Sequence, residues 1–190
     1  MNIIYLHGFQ SSALSIKGQH LQTYCQFKHG MHVHLPDLNM PPQQVLAHIS
    51  QMIETLEDVV LIGSSLGGFY ATQLVAKHGV PAVLINPAMR PWQLFHDLFG
   101  CIGIPYIVNA EWTLDHTQLD QLQQMAVSFV QDADKILVLL QQGDEVLDYR
   151  EAQHYYHQSM VITDANGSHA MDDFVDKIPM ALQFLSDCIK

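Results

Sequence analysis

A chain of 190 residues with 48 % hydrophobic and 14 % charged side chains has the makeup of one globular domain around a continuous core, which excludes a disordered chain. Its formal charge of −11, from 19 acidic against 8 basic side chains, argues against nucleic acid or an anionic membrane surface as partner. It also disfavours highly anionic substrates, unless a local Lys or Arg overrides the average field.

The chain begins Met1-Asn2-Ile3-Ile4-Tyr5-Leu6-His7-Gly8, without the basic start and apolar stretch of a signal peptide, and it has no apolar run near the roughly 20 residues that cross a bilayer. Cys25, Cys101 and Cys188 are odd in number, far apart and without metal-ligand spacing, so they read as reduced thiols of a cytoplasmic protein. Short β-branched runs predict strands over Asn2–Leu6, Met31–Leu35, Val59–Gly63, Ala82–Asn86, Lys135–Gln141 and Ser159–Thr163. Amphipathic stretches between them predict helices over about Ser15–Gln26, Pro42–Leu56, Gly67–His78, Thr117–Val130, Asp148–His157 and Asp172–Cys188. Near-continuous apolar runs such as Val59-Val60-Leu61-Ile62 belong to central strands of a parallel sheet, and β-α alternation puts helices on both faces.

The first strand ends in His7-Gly8-Phe9-Gln10, where Gly8 permits a tight bend that turns the next amide inward. The third strand runs through Gly63-Ser64-Ser65-Leu66-Gly67 into a helix, the G-x-S-x-G turn of an α/β-hydrolase nucleophile. A serine on so sharp a turn leaves almost no room for side chains two residues before and after it, and Gly63 and Gly67 fill those places. Ser65 is therefore the candidate nucleophile, with Ser64 as fallback. The backbone N–H groups of Phe9 and Leu66 are the candidate oxyanion hole. His7 comes too early in the chain to be the base and reads as a structural histidine holding its loop.

Twelve histidines compete for the role of base. The fold needs one on the loop after the last strand, and Thr163-Asp164-Ala165-Asn166-Gly167-Ser168-His169 supplies His169 there. The acid follows the preceding strand, where Leu140-Gln141-Gln142-Gly143-Asp144 places Asp144, with Glu145 and Asp148 as fallbacks on the same loop. The alternative position after the fourth strand is closed, because Asn86-Pro87 offers no carboxylate. His32 and His34 alternate along a strand without a third ligand nearby, so no metal is expected, and the chemistry calls for no cofactor. The proline-rich, aromatic segment 87–116 is long for a connection and reads as a small lid, with Trp92, Phe95 and Phe99 as candidates to line an acyl pocket. Core packing is the competing reading of those aromatics.

Taken together, Tyr5-Leu6-His7-Gly8-Phe9-Gln10-Ser11-Ser12, Gly63-Ser64-Ser65-Leu66-Gly67-Gly68, Gly143-Asp144-Glu145-Val146-Leu147-Asp148-Tyr149 and Gly167-Ser168-His169 resemble the small bacterial esterases of the YqiA/YcfP type over essentially the whole chain. The resemblance implies carboxylesterase activity with Ser65, Asp144 and His169 as triad. Because the chain starts directly on the strand leading to the oxyanion loop, the expected fold is a minimal six-stranded α/β-hydrolase in the order 2-1-3-4-5-6. The expected partner is a small, uncharged or weakly charged ester. An acyl thioester, or a ligand bound without turnover on a hydrolase scaffold, are the rivals.

Overall fold

The computed structural model describes residues 1–100 and 103–189. Cys101, expected as a reduced thiol, and Ile102 of segment 87–116 lie outside these. In chain order the elements are β1 (Asn2–Leu6), α1 (Ile16–Cys25), β2 (His32–His34), α2 (Pro42–Thr55), β3 (Val59–Ser64), α3 (Leu66–His78) and β4 (Ala82–Ile85). Then follow α4 (Pro91–Phe99), β5 (Tyr106–Ile107), β6 (Thr113–Leu114), α5 (His116–Met125), β7 (Ile136–Gln141), α6 (Tyr149–Tyr155), β8 (Met160–Asp164) and α7 (Phe174–Cys188).

Six strands pair in parallel in the order β2-β1-β3-β4-β7-β8, which is the expected order once the small antiparallel pair β5-β6 is set aside. The period-two alternation of side chains divides each strand between two cores. Val59 and Leu61 of β3 join the cluster built with α2, α3, α4 and α5, whereas Val60 and Ile62 join the one built with α1 and α7. A sheet covered on both faces needs strands that are apolar throughout, which is why β3 and β7 are buried at all six positions. Each such aliphatic side chain contributes about 1.5–3 kcal/mol when removed from water.

Ser15 caps α1, its hydroxyl accepting from the Gly18 amide at 3.3 Å. Helix α5 ends at Met125, five residues before its apolar pattern runs out. Beyond it the Gln73 carboxamide accepts from the Val127 amide at 2.9 Å, and the Tyr155 hydroxyl donates to the Val127 carbonyl at 2.8 Å, so side chains satisfy the backbone there in place of another helical turn. Segment 87–116 contains α4 and the β5-β6 pair, neither expected from the sequence. Pro91, Phe95 and Phe99 recur every four residues on the buried face of α4.

The topology fixes where a site forms. The helix after β1 packs on one face of the sheet and the helix after β3 on the other, so their connections diverge and leave a crevice at the carboxyl ends of these neighbouring strands.

Candidate active site

Ser65 stands at that crevice, between β3 and α3, with φ 54 and ψ −119. A non-glycine residue in this region costs about 1–3 kcal/mol and persists only where its surroundings over-determine it. Here they do: the Ser65 amide donates to the Ile85 carbonyl at 3.0 Å, and its carbonyl accepts from the Ala88 amide at 3.0 Å. The glycines are required by close approach. A Cβ on Gly67 would fall 2.0 Å from the Leu6 carbonyl oxygen, and one on Gly63 would fall 2.4 Å from that of Gly67. Ser64, at the foot of the same cleft, is buried and hydrogen-bonded to the Tyr5 hydroxyl, which burial pushes up to about 12 against the bonds from Ser15 and Ser64.

His169 lies on the loop between β8 and α7. Its Nε2 is 3.0 Å from Ser65 Oγ and its Nδ1 is 2.8 Å from Asp144 Oδ2, so the three side chains form one hydrogen-bonded line. The Asp144 side chain is only 2 % exposed, and that of His169 21 %. The other carboxylate oxygen, Oδ1, accepts from the amides of Val146 and Leu147, both at 2.8 Å. These bonds fix the carboxylate plane and compensate its burial. With Asp144 ionised, the His169 proton resides on Nδ1, which leaves Nε2 as acceptor toward the serine.

The two fallback acids serve other ends. Asp148 caps α6 and pairs with Arg150, whose hydrogen bonds hold Asp148 below the ordinary aspartate range. Glu145 accepts from the His169 backbone amide at 3.0 Å, and that bond is the main cause that holds its carboxyl below the ordinary glutamate range.

Two residues missed in the sequence reading brace the same loop. Asn86, buried at φ 40, donates through Nδ2 to the carbonyls of Ser168 and His169, both at 3.2 Å, and accepts through Oδ1 from the Gln141 amide at 3.0 Å. Gln141, buried at the end of β7, accepts through Oε1 from the Ser168 amide at 2.9 Å and donates through Nε2 to Asp173 at 2.7 Å. Gly167 must be glycine for this packing, because its φ is +96 and a Cβ there would fall 1.2 Å from Gln141 Oε1. The available signal was a polar residue closing each of two otherwise apolar strands.

The loop after β1 lies against the nucleophile: a Cβ on Gly8 would sit 3.2 Å from that of Ser65. The Leu66 amide, first in α3, has no intrahelical acceptor. His7 Nε2 accepts from the Leu38 amide at 2.9 Å, so its proton is on Nδ1, which donates to the Gly8 carbonyl at 2.8 Å. Both ring nitrogens of this buried histidine are therefore occupied in holding the loop.

Ser65 and His169 open on a cleft of about 680 Å³, bounded by residues 8–12, residues 14–17 and His20 on one side and by residues 170–172 on the other. None of Trp92, Phe95 and Phe99 lines it. Phe95 and Phe99 are buried behind Phe9, with ring centroids 4.6 and 5.9 Å from that of Phe9, and Tyr106 and Trp112 complete the stack at 6.4 and 6.1 Å. Trp92 faces a separate apolar cavity of about 380 Å³ with Phe69, Met89 and Tyr155. The helical period on α4 turns Phe95 and Phe99 into the core, while the cleft draws its walls from the loop after β1 and the start of α1.

His34 Nε2 is hydrogen-bonded to Asn2, and among the described residues no three His, Cys, Asp or Glu side chains come together as a metal site. No helix among them is long and apolar enough to cross a membrane.

The chain belongs to the uncharacterised protein family UPF0227, whose model matches residues 2–186, and this is the YqiA/YcfP-type family that its motifs resemble. Solved structures share the α/β-hydrolase fold at low identity. Alpha/beta hydrolase domain-containing protein 10 from mouse superposes with a TM-score of 0.76 at 14 % identity, covering 100 % of this chain and 90 % of that one. Est1E from Butyrivibrio proteoclasticus with ferulic acid bound gives 0.74 at 16 % identity over 99 % and 89 %. The Pyrococcus furiosus esterase Pf2001 gives 0.70 at 14 % over 100 % and 83 %.

Proposed function

We propose that this member of the family is a serine hydrolase that cleaves small carboxylic esters through an acyl-enzyme. The observation that carries the reading is the unbroken line Ser65 Oγ···His169 Nε2, His169 Nδ1···Asp144 Oδ2, at 3.0 and 2.8 Å, ending on a serine held in a strained strand-to-helix turn. Likeness in fold to proteins described as esterases agrees with it.

In this mechanism His169 Nε2 takes the Ser65 proton as Oγ attacks the ester carbonyl, and Asp144 stabilises the imidazolium that results. The oxygen of the tetrahedral intermediate lies in the hole formed by the Phe9 and Leu66 amides, at the positive end of α3. His169 returns its proton to the departing alkoxide. Water then attacks the acyl-serine by the same route, and the carboxylic acid leaves.

Ser65→Ala removes a small, half-exposed hydroxyl and is expected to leave the fold intact while lowering kcat on a simple ester by about 10³-fold or more. Active-site titration with a fluorophosphonate, followed by mapping of the labelled residue, is the direct check. A label on a residue other than Ser65, or a variant retaining a tenth of the turnover, would overturn the assignment. Matched oxygen esters and acyl thioesters assayed together separate esterase from thioesterase.

A further inference from the structure

Eight lysines and arginines face nineteen acids in this chain, and three of the described ones are held in ion pairs. Arg90 pairs with Glu151, Arg150 with Asp148, and Lys177 with Asp164 and Asp173. Lys17, in the first turn of α1, is set apart by its place: it is the one Lys or Arg among the described residues that lines the cleft of Ser65 and His169. Its Nζ donates to the carbonyl of Ala170 at 2.5 Å, which fixes the ammonium one residue from the proposed base. An ammonium has three N–H donors, and this carbonyl takes one.

The surroundings leave the charge under-compensated. Burial pushes the Lys17 pKa down, and Asp172 opposes this only partly. Asp172 itself is exposed and accepts from the Ser168 hydroxyl at 3.2 Å. The near wall sets polar Gln10, Ser11, Ser12 and His20 beside apolar Phe9, Leu14 and Ile16, so Lys17 is its one fixed positive charge. Position also bears on which half of an ester lies here. In the proposed mechanism His169 protonates the departing oxygen, so the alcohol half lies on the His169 side, where Lys17 is anchored.

We infer that the cleft selects esters whose alcohol half carries an anionic group, a carboxylate or a phosphonate-like oxyanion, and that Lys17 is the residue that binds it. This rests on the proposed hydrolase reading and deepens it. The average field of the chain repels anions, so the selection is local and depends on one side chain.

The test compares four aryl esters on the wild type, Lys17→Gln and Lys17→Arg. p-Tolyl acetate is neutral, 4-acetoxyphenylacetate and 4-acetoxybenzylphosphonate carry the charge on the alcohol half, and mono-p-tolyl succinate carries it on the acyl half. The kcat/KM ratio of each anionic-alcohol ester to p-tolyl acetate is expected to fall roughly tenfold in Lys17→Gln, the scale of one hydrogen bond to a charged group, and to be largely retained in Lys17→Arg. The succinate ratio is expected to move little, and the relative size of the carboxylate and phosphonate effects tells which anion fits. An unchanged ratio in Lys17→Gln would overturn the inference. So would an equal loss on all four esters, which would make Lys17 only a prop for the Ala170 carbonyl. Absence of any Ser65-dependent hydrolysis would instead sink the hydrolase reading. Affinity of 4-hydroxyphenylacetate against p-cresol, titrated by NMR on the wild type and Lys17→Gln, still decides the charge preference in that event.

Discussion

The nucleophile turn and the histidine loop face each other across 3.0 Å and are held by opposite means. Ser65 is placed by exclusion: strands and helix crowd so closely around Gly63 and Gly67 that the backbone has nowhere else to go. His169 is placed by attraction: Asn86 and Lys17 donate to the carbonyls of Ser168, His169 and Ala170, and Gln141 and Glu145 accept from the amides of Ser168 and His169, so that all four side chains address backbone atoms of residues 168–170. Steric placement fails abruptly when an atom is added. Placement by several bonds weakens by degrees as each is removed.

That contrast is open to direct attack, and the largest effect is expected at the elbow. Gly67→Ala drives a Cβ into the Leu6 carbonyl of β1, a backbone atom that cannot rotate away. A loss above about 4 kcal/mol, or failure to fold, is expected in urea unfolding. A midpoint near that of the wild type would show that the turn relaxes and that exclusion is not what holds it.

Phe95→Ala comes next. It empties a buried ring site behind Phe9 and is expected to cost about 3–5 kcal/mol in stability. Among molecules that remain folded, chain-length preference on acetate, butyrate and octanoate esters should be unchanged. A shift in preference without a large stability loss would return Phe95 to the substrate pocket.

Asn86→Asp keeps the shape and the acceptor toward Gln141, but turns a carboxylate against two carbonyl oxygens. A loss of about 1–3 kcal/mol is expected at neutral pH, with a fall in kcat and little change in KM. Since only the protonated acid can donate there, folding raises the pKa of the introduced carboxyl. The penalty is then absent below the pKa of the unfolded chain and grows as pH rises through the folded value. Stability that does not recover on acidification would show that the brace acts through packing.

Glu145→Gln is expected to do least. The group is exposed, and the replacement keeps a carbonyl oxygen for the His169 amide, so kcat should fall by no more than about threefold. The native carboxyl is held below its ordinary range by that amide, so its contribution is full above the unfolded glutamate value and lost only as pH falls through the depressed one. A loss matching that of Asp144→Asn would show that Glu145 is as decisive a carboxylate as Asp144.

The same contrast explains what the sequence disclosed. Exclusion is local, so the elbow is written as G-x-S-x-G within five residues; β-α alternation gave the parallel sheet, and the place of its first strand before the oxyanion loop gave the strand order. Asp144 and His169 were found by chain order, because the loops after neighbouring strands must converge. The brace was not legible: Asn86 contacts residues 82 and 83 positions away, and in sequence it registered only as the lack of a carboxylate. The aromatics of segment 87–116 misled for a different reason. Their number suggested a pocket, whereas the spacing of Pro91, Phe95 and Phe99 already described a helix face turned to the core.

The bond from the Ala88 amide to the Ser65 carbonyl has a further mechanical consequence. Just before it, Pro87 lies against Gly68, where an added Cβ would come within 2.8 Å of its ring, so the chain leaving β4 is riveted to the elbow for two residues before it is released toward α4. Whatever motion or change of length occurs farther along is therefore decoupled from the dihedral angles of the serine. The rivet makes the stretch beyond Ala88 a graft point, where an insertion could reshape the rim of the molecule and leave the attacking hydroxyl aimed as it is.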